Sequence, residues 1–193
     1  MLKNIGAVLI GVLLLPLSPS QAPDDTAART KDIYEIYSQL IPAAMTLTAN
    51  PVYLIQSTTV VVPLDAVPGW GIDRCVKVPP NYAPAWAELL EEARSGKIVP
   101  GTLQPEFKLS KAYLLLRPAE IPAMPSSDPK FQGATDVFRL SVVYFNRNRT
   151  LALTSVGTTC GRLCGTGRWA TFEKLPAGMW VERRDWVRCL TVA

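Results

Sequence analysis

The chain has 193 residues, a formal net charge of +4 at neutral pH and no histidine. Hydrophobic residues make up 48% of it, which suffices for a core and excludes disorder by composition. The absence of histidine excludes Ser-His-Asp and Cys-His catalysis and all histidine-ligated metals. The remaining residues contain no phosphate-binding or calcium-binding loop, so we predict no catalytic residues, no cofactor and no metal.

Residues 1–22 have the pattern of a secretory signal. Lys3 supplies a positive charge, Ile5 to Leu15 is an apolar run, and small residues follow. The run covers only about half of a ~30 Å hydrocarbon core, so we expect no transmembrane segment once the signal is cleaved. Cleavage after Ser20 or after Ala22 releases a mature protein that is predicted to be secreted or periplasmic.

The mature part is predicted to be a short polar linker, residues 23–30, and a single α+β globular domain, residues 31–193. A first helix is predicted from apolar residues at helical spacing, and Pro42 ends it. The residues of this stripe are Ile33, Ile36, Tyr37, Leu40 and Ile41. The β-rich run 52–62, between two prolines, predicts a strand.

A second helix is predicted after a loop rich in proline and glycine. Asn81 is its expected cap, an apolar stripe from Trp86 to Ala93 is its buried face, and Gly96 is its stop. A further strand is predicted over residues 107–116, followed by a rigid proline-rich connection.

Four strand-like runs fill the last third of the chain: residues 137–145, 150–158, 168–174 and 179–187. In the first run the apolar residues Phe138, Leu140, Val142 and Tyr144 alternate with other residues. Such alternation predicts an antiparallel sheet with one face covered. The predicted fold class is therefore α+β: a C-terminal four-stranded antiparallel meander backed by two helices, with additional N-terminal strands.

Cys75, Cys160, Cys164 and Cys189 are an even set in a chain predicted to be exported, where disulfides persist. Of the three possible pairings we predict Cys160–Cys164 and Cys75–Cys189, because glycines around the near pair allow a tight ring. Zinc sites bring two close pairs of ligands, whereas one close pair is present here. Thiol-exchange sites favour C-x-x-C at a helix start, which this spacing is not.

The same region carries F-N before a short turn, then T-x-A-L, C-G-x-L-C-G-x-G, E-K and a tryptophan after a glycine turn. The matching residues are Phe145, Asn146, Thr150, Ala152, Leu153, Cys160, Gly161, Leu163, Cys164, Gly165, Gly167, Glu173, Lys174, Gly178, Trp180 and Glu182. This string resembles uncharacterised exported bacterial proteins with a C-terminal C-G-x-L-C-G-x-G β-meander motif. The resemblance covers about 45 residues and implies export, but no activity, cofactor or substrate.

The preferred functional hypothesis is a non-enzymatic interaction module. The cysteine loop, Cys160 to Arg168, is predicted to be a rigid cationic tip. Its candidate binding residues are Gly161, Arg162, Leu163, Gly165, Gly167 and Arg168. Basic residues outnumber acidic ones in 136–193, which favours an anionic envelope component or another protein as the partner. Nucleic acid is not expected, and the alternative for this loop is a disulfide-bonded connection between strands.

A second hypothesis comes from a different class, an envelope hydrolase that uses carboxylates such as Glu88, Glu91 or Glu106. Such chemistry requires two carboxyl groups that face each other across a cleft. The simpler alternative for the three glutamates of the second helix, Glu88, Glu91 and Glu92, is a solvated helix face.

Overall fold

The computed structural model describes residues 25–44, 51–65, 71–121, 125, 128–131, 133–161, 164–189 and 191–192. The predicted signal, residues 1–22, lies outside the described residues. The α-helices are α1 (Asp25–Ala43), α2 (Ile72–Cys75) and α3 (Ala83–Arg94). The strands are β1 (Tyr53–Gln56), β2 (Tyr113–Leu116), β3 (Val137–Leu140), β4 (Tyr144–Phe145), β5 (Leu151–Gly161), β6 (Cys164–Lys174), β7 (Trp180–Glu182) and β8 (Thr191–Val192).

These strands form one mixed sheet in the order β2-β1-β3-β5-β6-β7, with β4 paired to β5 and β8 paired to β6. From β3 to β7 the neighbours are antiparallel, so the predicted α+β class and C-terminal meander are confirmed in their broad form. β1 lies parallel to both β2 and β3, because α2 and α3 form the crossover between β1 and β2. The N-terminal strands thus extend the meander as a parallel edge.

Helices cover both faces of this sheet. On one face α1 packs through Ile36 and Leu40 against Phe172 of β6. On the opposite face α2 and α3 enclose a second cluster, which includes Ile72, Leu89, Leu90, Tyr144, Leu153, Trp169 and Trp186. The prediction of a sheet with only one covered face is wrong, because β5 is apolar on both sides: Ala152 faces α1, whereas Leu153 faces α3.

A β-bulge interrupts the strand that the sequence predicts over residues 137–145. Leu140 pairs with Val156 and Tyr144 pairs with Leu153, so three residues on this strand face two residues on β5. The extra residue reverses the alternation, and Leu140 faces α1 while Tyr144 faces α3. The prediction of one continuous strand with a single apolar face is therefore wrong beyond Leu140.

Other element boundaries also differ from the predictions. Helix α1 begins at Asp25, so most of the predicted linker 23–30 is helical. An acidic residue in the first turn and the alanines that follow favour this earlier start. The strands predicted over 52–62 and 107–116 are shorter in the structure, where only β1 and β2 are regular. The two strands pair with each other over only four residues.

The second predicted helix corresponds to α3, and Leu89 and Leu90 are its buried residues. Asn81 is not its cap, since this residue lies inside a 3-10 turn (Pro80–Tyr82) that leads into the helix. Gly96 follows the end of α3 with a φ of 67°, the left-handed conformation that the predicted glycine stop requires.

Both predicted disulfides are present. Cys75 at the end of α2 is bonded to Cys189, 114 residues later, and Cys160 is bonded to Cys164 across the β5–β6 hairpin. Beside the longer bridge, the N–H of Arg188 donates to the carbonyl of Cys75 at 2.8 Å. The bridge therefore ties the end of the described chain to the core beneath α2 and α3.

Replacement of Cys75 and Cys189 by serine is expected to lower the free energy of unfolding by about 5 kcal/mol, because the bond closes a loop of 114 residues. The matched variant, with serine at positions 160 and 164, should lose only about 2 kcal/mol because its ring is short. Urea denaturation of both double variants measures the difference. Equal losses would contradict this loop-length account.

Candidate functional site

The connection between β5 and β6 is shorter in the structure than the predicted cysteine loop. β5 continues to Gly161 and β6 begins at Cys164, and Arg162 and Leu163 between them lie outside the described residues. The other candidate loop residues are strand residues: Gly161 in β5, and Gly165, Gly167 and Arg168 in β6. A side chain at Gly165 would place its Cβ 2.6 Å from the Thr158 carbonyl oxygen, so the glycine serves close strand packing.

Arg168 is held inside the sheet by an ion pair. Its guanidinium contacts Glu182 of β7, and the two side chains are only 15% and 9% exposed. Glu182 also accepts a hydrogen bond from Arg184 Nε at 2.9 Å. The charge of Arg168 is therefore neutralised, and this residue does not form the flank of a cationic tip.

The carboxylates considered for hydrolysis lie on different sides of α1. Glu88 and Glu91 line a polar cavity beside the β4–β5 turn, where Glu88 accepts the backbone N–H of Arg147 at 3.2 Å. Glu106 lines a separate cavity beside Lys108. The fold thus does not bring Glu106 together with the glutamates of α3.

An apolar groove lies between α1 and residues 98–104, the segment that follows α3. Its volume is about 340 Å³. Six of the apolar residues that line it are Ile33, Tyr37, Ile98, Val99, Leu103 and Val143. Sites for small molecules are typically concave, several hundred Å³ in volume and mostly apolar, so this groove is the candidate binding site.

Helix α1 forms the first wall of the groove. Arg29, Ile33 and Tyr37 recur every four residues and therefore lie on one side of the helix. Thr30 and Tyr34 form the next row along that side, and all five line the groove.

The second wall is held by hydrogen bonds to the chain that leaves β1. Thr59 N donates to the Gly101 carbonyl at 3.0 Å, and Gly101 N donates to Thr59 Oγ1 at 2.9 Å. Further along, Gln104 N donates to the Tyr34 hydroxyl at 2.5 Å. Hydrogen bonds from backbone N–H groups therefore fix this wall to the chain after β1 at one point and to the Tyr34 side chain of α1 at another.

The β-bulge forms the floor of the groove through the buried residues Val142 and Val143. The Tyr37 hydroxyl donates to the Ser141 carbonyl at 2.6 Å, and Ser141 Oγ lies 3.0 Å from Thr154 Oγ1. All three of these polar side chains are buried and hydrogen-bonded. Such a satisfied network keeps the bulge in a single conformation.

Arg29 closes one end of the groove. Its Nη1 lies 3.0 Å from Glu92 Oε1, its Nη2 donates to the Val143 carbonyl at 3.2 Å, and its guanidinium lies 4.7 Å from the centre of the Phe145 ring. Because Glu92 neutralises Arg29, this end of the groove has no net charge.

The sequence predictions missed this groove. Its one local signal is Ile98-Val99, an apolar pair between Gly96 and Pro100 in a stretch with no predicted element. Val99 is 69% exposed and lines the groove.

No family model matches the chain, and neither a curated protein nor a solved structure matches it significantly. Among the described residues, no helix has both the length and the hydropathy of a membrane span. The same part of the chain contains no group of three or more Asp, Glu, His or Cys side chains placed to hold a metal ion.

We expect Arg168→Ala to lower the free energy of unfolding by about 3 kcal/mol, because Glu182 would stay buried without its main partner. Arg184→Ala removes a partner of the same carboxylate that is 67% exposed, and should lose less than about 1 kcal/mol. Chemical denaturation of the two variants provides the comparison. A similar small loss in both would show that Arg168 is not part of the sheet's ion pairing.

The folding stability should fall at alkaline pH through Tyr37. Burial raises the pKa of this phenol far above its ordinary value near 10. Above pH ~10 the unfolded chain ionises first, so stability that is present at lower pH is lost as the pH rises. Between pH 8 and pH 11 the natural chain should lose about 1.4 kcal/mol more than Tyr37→Phe in urea titrations. Parallel pH dependences for both proteins would rule this out.

Proposed function

We propose that this chain is an exported, non-enzymatic binding protein that holds a small apolar molecule in the groove between α1 and residues 98–104. The observation that carries the proposal is the groove itself, about 340 Å³ in volume and lined mainly by aliphatic and aromatic side chains. Burial of a ligand's apolar surface supplies the favourable free energy of binding in such a site.

The construction of the groove supports a binding role. Its floor is a bulge whose polar groups are all hydrogen-bonded, so little conformational entropy is lost when a ligand enters. β-Bulges are common next to functional sites, where they redirect backbone groups. Here the bulge turns the Val143 carbonyl towards Arg29 and places Val142 and Val143 at the floor of the groove.

Export is part of the same proposal. The apolar run after Lys3 has the pattern of a secretory signal. Two disulfides support it, because such bonds persist in oxidising compartments outside the cytosol. The resemblance of the C-G-x-L-C-G-x-G string to exported bacterial proteins is a third line of support.

We prefer a ligand in the groove to an anionic partner at the cysteine loop, since Arg168 is already paired with Glu182. We also prefer binding to hydrolysis. Carboxylate catalysis needs two carboxyl groups that face each other across one cleft. Glu88 and Glu91 share a cavity but project from the same helix, α3, and Glu106 lines a separate cavity.

Val99→Asp is expected to weaken binding of the neutral apolar dye Nile red at least tenfold, because it places a carboxylate in the apolar wall. Val99 is exposed, so the variant should fold with little loss of stability. Fluorescence titration of the dye measures the affinity.

The matched control is Val61→Asp, since Val61 is 45% exposed and does not line the groove. It should bind the dye as the natural chain does. The proposal fails if the natural chain does not bind Nile red, or if the two variants weaken binding equally.

A further inference from the structure

We propose that the groove selects neutral molecules that carry a hydrogen-bond acceptor, such as a carbonyl or ether oxygen, and that the Tyr34 hydroxyl donates to that acceptor. This inference rests on the proposed function, because it names the ligand class of the same groove. It comes from an unmatched hydroxyl donor in a mainly apolar groove.

Tyr34 is only 9% exposed, and its hydroxyl meets Gln104, which lines the groove with it. The hydroxyl accepts the Gln104 N–H at 2.5 Å. A phenol is a donor as well as an acceptor, and within the described residues no acceptor is found for the Tyr34 proton. A buried donor without an acceptor is unfavourable, so a ligand oxygen at this point would remove that cost.

Tyr34 is a proton donor at neutral pH. Burial raises the pKa of its phenol, the hydrogen bond from Gln104 lowers this pKa in part, and the charge of Glu106 raises it again. The hydroxyl therefore keeps its proton over the whole physiological pH range. With its oxygen already accepting from Gln104, it donates its proton to a ligand's hydrogen-bond acceptor.

The charges around the groove favour a neutral ligand over an anion. Arg29 is compensated by Glu92, so it offers no net positive charge. Glu106 lines the neighbouring cavity, and its charge raises the pKa of Tyr34. The same charge would repel a negative group at the hydroxyl. An acceptor without charge satisfies the donor and avoids this repulsion.

Three probes of nearly equal size test the inference: 2-acetylnaphthalene, which has a carbonyl acceptor, 2-ethylnaphthalene, which has none, and 2-naphthoate, which is an anion. NMR titration of the full mature chain gives each affinity, and the Gln104 amide reports on the Tyr34 hydroxyl directly. The ketone should bind about three- to tenfold more tightly than the hydrocarbon, and the naphthoate should bind most weakly. Only the ketone should shift the Gln104 amide strongly.

Tyr34→Phe should bring the ratio of ketone affinity to hydrocarbon affinity down to about one. The ratio is the readout, because loss of the hydrogen bond from Gln104 to the wall affects both probes alike. Tyr53→Phe is the matched control, because Tyr53 is also buried in the core, against Phe138, but does not line the groove. The three-probe comparison on the natural chain remains decisive even if Tyr34→Phe does not fold.

The outcomes separate this inference from the proposed function. If ketone and hydrocarbon bind equally well to the natural chain, the Tyr34 donor is disproved and the groove remains a binding site. If naphthoate binds most tightly, selection for neutral ligands is disproved. If none of the three binds, both the inference and the proposed function fail.

Discussion

The buried carboxylate of Asp32 fixes α1 on the sheet, and the rest of the structure depends on this contact. Asp32 is 4% exposed and accepts hydrogen bonds from Lys174 Nζ at 2.7 Å and Trp180 Nε1 at 2.9 Å. Its second oxygen lies 3.5 Å from Arg149 Nε. A buried carboxylate is tolerated only when charged and polar groups surround it, so α1 cannot rotate or slide without a large loss of stability.

This fixed rotation determines what each side of α1 does. Successive residues turn by about 100° around a helix, so the positions near Asp32 face the edge of the sheet. There Gln39 donates to the Trp180 carbonyl at 2.9 Å and Glu35 accepts the Trp180 N–H at 3.0 Å. These side chains occupy the hydrogen-bonding groups of β7 that a further strand would otherwise use. The same rotation turns Tyr34 towards the groove.

Several features of the fold were predictable because they depend on local sequence patterns or on the number of cysteines. Both disulfides followed from four cysteines and the glycines around one pair, and the C-terminal strands followed from alternation and turn residues. The bulge was not predicted, although the apolar run Val142 to Phe145 breaks the alternation that holds from Phe138 to Val142. At the bulge the strand has a long-range partner that the sequence pattern does not contain: Val60, after β1, forms a parallel bridge with Ser141. The parallel pairing of β1 has the same long-range origin.

The groove could not be predicted from the sequence for a related reason: its three sides come from distant parts of the chain. They also differ in how firmly they are held. The floor is part of the central sheet, and the Asp32 contacts fix the α1 side. The wall is anchored at Leu103, which is buried in the core cluster beside α1, whereas near the exposed Val99 it is held by hydrogen bonds between Gly101 and Thr59. Segments with few buried apolar contacts are the first to open locally. Gln104, next to the buried Leu103, bonds to the hydroxyl that is proposed to meet the ligand, so the Tyr34 donor stays in place while the Val99 end of the wall adjusts. A rigid floor with one adjustable wall can hold apolar molecules of different shapes, while the position of the acceptor remains fixed.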